Sequence, residues 1–357
     1  MKGLILAAGL GTRLRPITSL RPKPTISVAN RPLIHYAVDD LLDAGIDEVG
    51  VVVSPDTEAD LRAALEPYAE RASFAFVVQD PPEGLAHAVL VARDFLGDDP
   101  FVMYLSDNLF EHGIRPFVEA FHAGEPGPNA VLALVRVADP RAFGVAQIQD
   151  GRVTALVEKP EVPPSDLAVA GVYVFDRSIH DAIDGLPRGA KDEYQITDAI
   201  ARLIDRGGRV VPVEVTGYWK DTGKPEDVLD ANRLELSRLR RDVRGTVEHA
   251  DLIGEVVIDE GATVRNATVV GPARIGPGAT VADAYVGPFT SLGAGVELVD
   301  AEIEYAVVGA GSTIRGVAGR IQGSLIGEDV AVVATTRRPA THRLTVGDKS
   351  RIELAES

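Results

Sequence analysis

Residues 1–14 read MKGLILAAGLGTRL, a short apolar run that passes into two glycines, a threonine and an arginine. Leu4, Ile5, Leu6 and Ala7 are apolar in succession, as a strand buried on both faces of a parallel sheet requires. Gly9 and Gly11 then permit a tight turn whose N–H groups can approach something small. Amides presented in that way beside an arginine suit a phosphate group. An ordinary strand-to-helix turn would also accept the glycines, so the rest of the chain has to decide. Two familiar phosphate motifs are missing from the loop. It contains no GxxxxGK[ST], and Gly9-Leu10-Gly11-Thr12-Arg13-Leu14 lacks the third glycine of a dinucleotide fingerprint.

Beyond that loop, residues 1 to about 240 alternate apolar runs with amphipathic stretches, the pattern of an α/β domain. Strands are expected at 4–7, 49–53, 74–78, 101–105, 130–135, 144–148, 170–175 and 210–215, with helices at 33–44, 58–66 and 86–95. The alternation is cleanest in the first hundred residues, after which strands crowd together, so a mixed sheet with antiparallel additions is expected. The segment PEDVLDANRLELSRLRR then reads as a helix closing this domain, with Pro225 at its first position and Glu226 and Asp227 in its first turn. Arg238, Arg240 and Arg241 are expected at its negative end.

From about residue 250 an apolar residue recurs every five or six positions: Ile258, Val264, Val270, Ile275, Val281, Val286, Leu292, Leu298, Ile303, Val308 and Ile314. Glycine often follows directly, as in Ile275-Gly276, Leu292-Gly293 and Val308-Gly309. Neither a helix nor a hairpin sheet has that period, whereas a hexapeptide β-helix does. The five-residue steps are read as bulged coils. The expected architecture is a Rossmann-like mixed α/β domain over 1–242, a parallel hexapeptide β-helix over 243–335, and a tail over 336–357 that carries Arg337, Arg338, His342 and Arg343.

The totals fit this division. A chain of 357 residues exceeds one ordinary domain, and 45% hydrophobic with 25% charged residues is a soluble composition. A net charge of −17 argues against a nucleic-acid binder, and no apolar stretch is long enough to cross a membrane. The N-terminus reads as a first strand rather than a signal peptide. With no cysteine, disulfides and thiolate zinc sites are excluded, and a cytoplasmic location fits.

Several residues carry chemistry. Lys23 lies between Pro22 and Pro24, whose rings stiffen the backbone around it. With Arg13 it can neutralise a triphosphate. Gln79 offers a donor and an acceptor on one amide, enough to read a pyrimidine edge, and Gly84 lets a base approach the backbone. His87 reads as a helix-surface residue. Asp107 ends an apolar strand and Asp221 follows the only tryptophan, Trp219. Ligands bind at such strand ends in open α/β sheets, and two aspartates there can share Mg²⁺ with a nucleotide phosphate. Glu158 and Glu193 can accept sugar hydroxyls, and Lys159 can meet a monophosphate.

Taken in order, LILAAGLGTRLRPIT, PKPxxSVANRPLI, the segment 79–88, LSDN, FGV, VEKP, AGVYVF, DEYQITDAI and YWKDTGKPEDVLDANRLEL resemble the sugar-1-phosphate nucleotidylyltransferases. The likeness is greatest to their long thymidylyltransferases, which carry a C-terminal left-handed β-helix. It covers essentially the whole chain. The resemblance implies transfer of a nucleotidyl group from dTTP, or alternatively UTP, to glucose 1-phosphate, with Mg²⁺ as cofactor. It implies that Gly9, Gly11, Thr12, Arg13 and Lys23 hold the phosphates, with Leu6, Ala8, Gln79, Gly84 and Asp107 completing the nucleotide site. Asp107 and Asp221 match the metal pair. Gly144, Glu158, Lys159, Gly171, Tyr173, Glu193, Thr197 and Trp219 fall in or beside the sugar-phosphate segments. Ser106 stands where the family usually has glycine, Ser27 where it has proline, and Thr25 where leucine is common. Ser106 therefore puts a side chain beside the metal aspartate.

Two other readings compete. A uridylyltransferase with an acyltransferase β-helix would want a histidine in the coils, and none occurs between residues 253 and 333; His249 and His342 flank them. A silent regulatory relative would have lost Arg13, Lys23, Asp107 or Asp221, and all four are present. Prisms of this kind commonly pack against copies of themselves, so a homo-oligomer is expected.

Overall fold

The opening apolar run forms the strand Lys2–Leu6, with Leu4 and Ile5 fully buried at the centre of a nine-stranded mixed sheet in the computed structural model. The structure describes residues 1–124, 126–189, 192–335, 344, 346 and 349–353. Arg337, Arg338, His342 and Arg343 lie outside the described residues. The chain divides into two compact units, one of residues 1–10, 22–25 and 33–221, the other of residues 11–21, 26–32 and 222–357.

In the first unit, Lys2–Leu6 pairs in parallel with Glu48–Val53 on one side and Phe101–Leu105 on the other, and Ser73–Val78 extends the parallel set. Beyond Phe101–Leu105 the sheet turns antiparallel through Leu167–Phe175, which also pairs with Ala130–Arg136 and meets Gly144–Gln149. Val210–Glu214 adds a parallel edge. The expected strands all form within one to three residues of their anticipated ends. Arg152–Glu158, not among the expected strands, is a further strand in a hairpin with Gly144–Gln149. The helix expected over 86–95 is two pieces, Leu85–Val91 and Arg93–Leu96. Leu33–Asp43 and Glu58–Leu65 form as expected, and Arg115–His122, Ser178–Ile183 and Ile196–Asp205 are added to them. Apolar side chains pack on both faces of the sheet, which is why strands such as Lys2–Leu6, Phe101–Leu105 and Leu167–Phe175 are apolar in succession rather than alternating.

The second unit contains a parallel β-helix-like prism. Its strands stack coil on coil: Thr263 pairs with Thr280 and Thr280 with Glu297, while Thr268 pairs with Tyr285 and Tyr285 with Glu302. Each of these coils is seventeen residues, one short of three hexapeptides. The inward residues step by five, six and six, through Val264, Val269, Ile275 and Val281, all fully buried. In these coils the short step therefore falls on the same side and the five-residue spacing is part of the repeat, whereas the next coil, from Glu297 to Thr313, is one residue shorter and takes two short steps, Leu298 to Ile303 and Ile303 to Val308. Val269, and not Val270, fills the core, because Val270 is the outward neighbour in its strand. The glycines after the apolar residues have a steric reason. A Cβ on Gly276 would sit 2.8 Å from the backbone of Gly293, and one on Gly293 would sit 2.7 Å from the nitrogen of Ala310. Only glycine lets the coils close at that corner.

The helix Pro225–Leu236 belongs with the prism rather than closing the first unit. It ends at Leu236, so Arg238, Arg240 and Arg241 lie past its last turn, and Arg233 is the basic residue inside it. The Ser237 hydroxyl donates to the Arg233 carbonyl at 2.7 Å and helps stop the helix there. Asn232, fully buried on this helix, accepts from the Ala29 N–H at 2.8 Å and the Ser291 hydroxyl at 2.7 Å, and donates to the Phe289 carbonyl at 3.1 Å. The loop Gly11–Arg21 is also anchored within this unit, through paired contacts of 2.5 Å between the Arg21 guanidinium and the Glu328 carboxylate.

Asn232 thus satisfies three groups at once. Replacing Asn232 by leucine strands all of them and is expected to cost about 3 kcal/mol or more, at roughly 1–3 kcal/mol per unpaired buried group. Urea unfolding of both proteins measures this, and an equal midpoint would show that the cluster contributes nothing.

Candidate active site

Three of the four parallel strands deliver candidate residues from their carboxyl ends, the edge where open α/β sheets bind ligands. Leu6 leads into Ala8 and Gly9, Val78 into Gln79, and Leu105 into Ser106 and Asp107. Gly11 adopts φ 57°, the left-handed turn that glycine favours, and begins a short helical turn over Thr12–Leu14. Among the described residues, its chain neighbours aside, a Cβ on Gly9 would meet nothing within 4 Å, so packing there does not require glycine. Thr12 and Arg13 are exposed, and the Arg13 guanidinium lies against Gly223, where a Cβ would come within 3.0 Å of it.

Asp107 and Asp221 meet through a two-stranded ladder. Asn108–Phe110 pairs antiparallel with Trp219–Asp221, and Asp221 sits opposite Asn108. Lys23, only 8% exposed, completes the group: its ammonium contacts the Asp107 carboxylate and lies 3.8 Å from Asp221 Oδ1. Pro22 and Pro24 flank the lysine, which begins a short helical turn over Lys23–Thr25, with the Thr25 hydroxyl returning to the Pro22 carbonyl at 2.9 Å. Ser106 turns away from this group. It is buried and donates its hydroxyl to the Leu6 carbonyl at 2.7 Å, tying the ends of two neighbouring strands together.

Asn108, absent from the sequence-derived site, organises the ladder. Its amide donates to Asp107 Oδ1 at 2.8 Å and accepts from the Trp219 indole N–H at 2.7 Å. Gly171, at φ 75°, makes room for it, since a Cβ there would come within 2.8 Å of the Asn108 amide. The packing reason for Gly171 is therefore plain. Tyr173 is a core residue, 4% exposed and stacked on Phe175. Burial first, and the nearby Glu158 charge second, push its phenol up.

A second group lies on the hairpin. Gly144 is paired with Glu158 in register. Glu158 accepts from the Thr197 hydroxyl at 3.2 Å and contacts the Lys159 ammonium at 2.5 Å. A Cβ on Gly144 would be 2.7 Å from Thr197 Cγ2, so the glycine is needed for this approach. Asp198, also missed in the sequence, has its carboxyl pushed up by burial and then by Glu158. The Lys159 N–H bonds the Phe143 carbonyl at 3.0 Å, and the Phe143 ring packs edge-on to Trp219 at 5.6 Å. This chain of contacts links the hairpin group to the carboxylate group.

The third group is the loop 79–88. A Cβ on Gly84, at φ 107°, would lie 2.5 Å from the Tyr194 carbonyl oxygen, so only glycine allows the loop to lie against that segment. The Tyr194 carbonyl also accepts from the Ala86 N–H at 3.0 Å, and the Tyr194 N–H donates to the Glu83 carbonyl at 2.8 Å. Glu193 beside it accepts from Gln195 at 3.1 Å. Gln79 is buried, and its amide nitrogen reaches the Gly84 carbonyl at 3.0 Å and His87 Nδ1 at 3.1 Å. His87 is therefore a partner of Gln79 and not a surface residue, because the helix starts at Leu85 and turns this position inward.

Substituting Gly171 by alanine should displace the Asn108 amide, at a cost of about 1–3 kcal/mol for a non-glycine residue held in this backbone region. Trp219 is the only tryptophan, so its fluorescence reports the site directly. Lower thermal stability with a shifted emission is expected, and unchanged emission would detach Gly171 from the ladder.

Residues 2–238 match the Nucleotidyl transferase family. The chain is 44% identical to the glucose-1-phosphate thymidylyltransferase of Streptomyces antibioticus, over 99% of both chains. It is also 44% identical to the low-salt glycan biosynthesis nucleotidyltransferase Agl11 of Haloferax volcanii, over 99% of this chain and 100% of that one. A solved UDP-glucose pyrophosphorylase complexed with UDP-glucose superposes with a TM-score of 0.61 at 28% identity, covering 66% of this chain and 98% of its own. The chain belongs to the nucleotidyl transferase family.

Proposed function

We propose that this nucleotidyltransferase moves a nucleotidyl group from dTTP to glucose 1-phosphate, forming dTDP-glucose and pyrophosphate. The observation that carries the reading is the convergence of Asp107 and Asp221 on the Lys23 ammonium at the carboxyl edge of the sheet. The near-full-length identity to a glucose-1-phosphate thymidylyltransferase supports the substrate pair.

The two carboxylates fit a hard divalent cation. They reach a single cationic nitrogen from two chain segments, and Mg²⁺ is typically held by one or two carboxylates together with substrate phosphates. Bound there, Mg²⁺ would neutralise phosphate charge. The remaining work falls to the chain. The glycine loop with Thr12 and Arg13 holds the triphosphate, Arg13 and Lys23 balance charge on the leaving pyrophosphate, and Gln79 and Gly84 read the base. Gly144, Glu158, Lys159, Thr197 and Glu193 hold the sugar phosphate, with Trp219 packed beside them. One phosphate oxygen of glucose 1-phosphate attacks the α-phosphorus. The new P–O bond forms as the bond to pyrophosphate breaks, and pyrophosphate leaves with the electron pair. The nucleophile is already an anion at neutral pH, so no proton has to be removed. What the reaction needs is two repelling phosphates held in line by cations, as in other phosphoryl transfers.

In this reading residues 1–242 contain the transfer machinery, the prism of residues 243–335 serves self-association into a homo-oligomer, and the enzyme works in the cytoplasm. Among the described residues no helix is long and apolar enough to cross a membrane.

The test is pyrophosphate release with Mg²⁺ across dTTP, UTP, dCTP and ATP, each with glucose 1-phosphate and related sugar phosphates. dTTP with glucose 1-phosphate should lead, and a preference for UTP would move the protein to the uridylyl branch. Chelation should abolish turnover. Asp107→Asn and Arg13→Ala should each lose about 100-fold or more, the scale of one transition-state charge partner, while circular dichroism stays native. Near-normal rates in either variant would remove that residue from the site. Light scattering reads the oligomer, and a monomer at micromolar concentration would reject the role given to the prism.

A further inference from the structure

We propose that His87 is a positioning residue that fixes the orientation of the Gln79 amide and thereby makes the site selective for bases carrying an imide N–H. The inference rests on the reading above, in which Gln79 faces the base.

The argument begins at the Gly84 carbonyl, which can only accept. It lies 3.0 Å from Gln79 Nε2 and so determines which end of the amide is the NH₂ group. The same nitrogen lies 3.1 Å from His87 Nδ1. An NH₂ group can only donate, so Nδ1 must be the acceptor and must carry no proton. A neutral imidazole with a bare Nδ1 holds its proton on Nε2. That proton is on the side of Glu83, whose carboxylate oxygen is 3.9 Å from Nε2. Glu83 is itself held by the Arg188 guanidinium, which stacks over the Tyr194 ring at 5.0 Å. The imidazole also packs near that ring, at 6.2 Å between centroids.

Both amide hydrogens of Gln79 are then spent inside the protein, one on Gly84 and one on His87. Among the described residues Gln79 Oε1 makes no hydrogen bond, so the side chain offers a base an acceptor and no donor. Thymine and uracil present N3–H and can meet it. Cytosine presents a bare N3, and two acceptors repel. Turning the amide over to suit cytosine would place Oε1 against both the Gly84 carbonyl and His87 Nδ1. His87 supplies the second of those two barriers without touching the substrate.

The variants His87→Phe, which keeps a ring and deletes the acceptor, His87→Ala, and His87→Gln, which restores an acceptor oxygen, separate this role from bulk packing. The readout is kcat/KM for dTTP relative to 5-methyl-dCTP, a pair that differs only on the reading edge. Phe and Ala should lower that ratio about ten-fold, mainly through KM, and Gln should recover it. An undiminished ratio in folded, active His87→Phe would overturn the proposal. Nitrogen-15 NMR of the wild-type protein, with His87 assigned by difference from the His87→Gln spectrum, reads the tautomer without any loss of fold. A protonated Nε2 and bare Nδ1 are expected, and a proton on Nδ1 would also overturn it. Wild-type protein that ignores dTTP would instead sink the functional reading, and the tautomer would still be decided.

Discussion

The candidate active site depends on one buried amide. Asp107 and Asp221 are distant in sequence, and a three-residue ladder brings them together only because Asn108 spans it. Its amide orients Asp107 on one side and fixes the single indole on the other. Gly171 gives up a side chain to admit it. A buried side-chain amide this close to carboxylates must have its bonds made, since leaving either end unpaired costs more than the net gain of a bond. That requirement fixes the ladder, and the ladder fixes the two acids. Lys23 then balances two negative charges that would otherwise repel.

The same economy runs through the other two groups. At Gly144 and Gly84, as at Gly171, a Cβ would strike a neighbouring site residue or its backbone. These glycines are therefore not only places where ligand comes near the chain. They are places where protein segments must come within reach of each other before a ligand arrives, so that the side chains stand ready in fixed positions.

Much of this was legible in the sequence. Buried parallel strands announce themselves by unbroken apolar runs, and the prism by its short period with glycines at the corners. Lys23, Asp107, Asp221, Glu158 and Lys159 stand out because charged residues at strand ends or between prolines have few structural excuses. What could not be read depends on pairing. Asn108 looked like one polar residue after an aspartate, and only the antiparallel partner strand reveals its work. His87 looked exposed because a helix assumed to start at 86 and run to 95 presents it differently from one that starts at Leu85 and breaks at Ala92. Tyr173 sits in a segment whose neighbours face the site, but alternation along its strand turns it into the core. The Val269 and Val270 ambiguity has the same origin: two adjacent valines differ only in which side of a coil they take. Ser106 looked like an intrusion beside Asp107. Its hydroxyl is turned back to the Leu6 carbonyl.

The Arg21–Glu328 contact has a consequence for the order in which the molecule can be completed. These residues are 307 apart in the chain. A ribosome delivers Arg21 307 residues before Glu328, so the loop Gly11–Arg21 waits through the synthesis of all that chain without this anchor. The sheet of the first unit needs only residues up to Glu214. The strands can therefore be assembled on a nascent chain whose glycine loop is still unfastened. A chain broken off before residue 328 could own every charged residue named in the site and still lack this fastening.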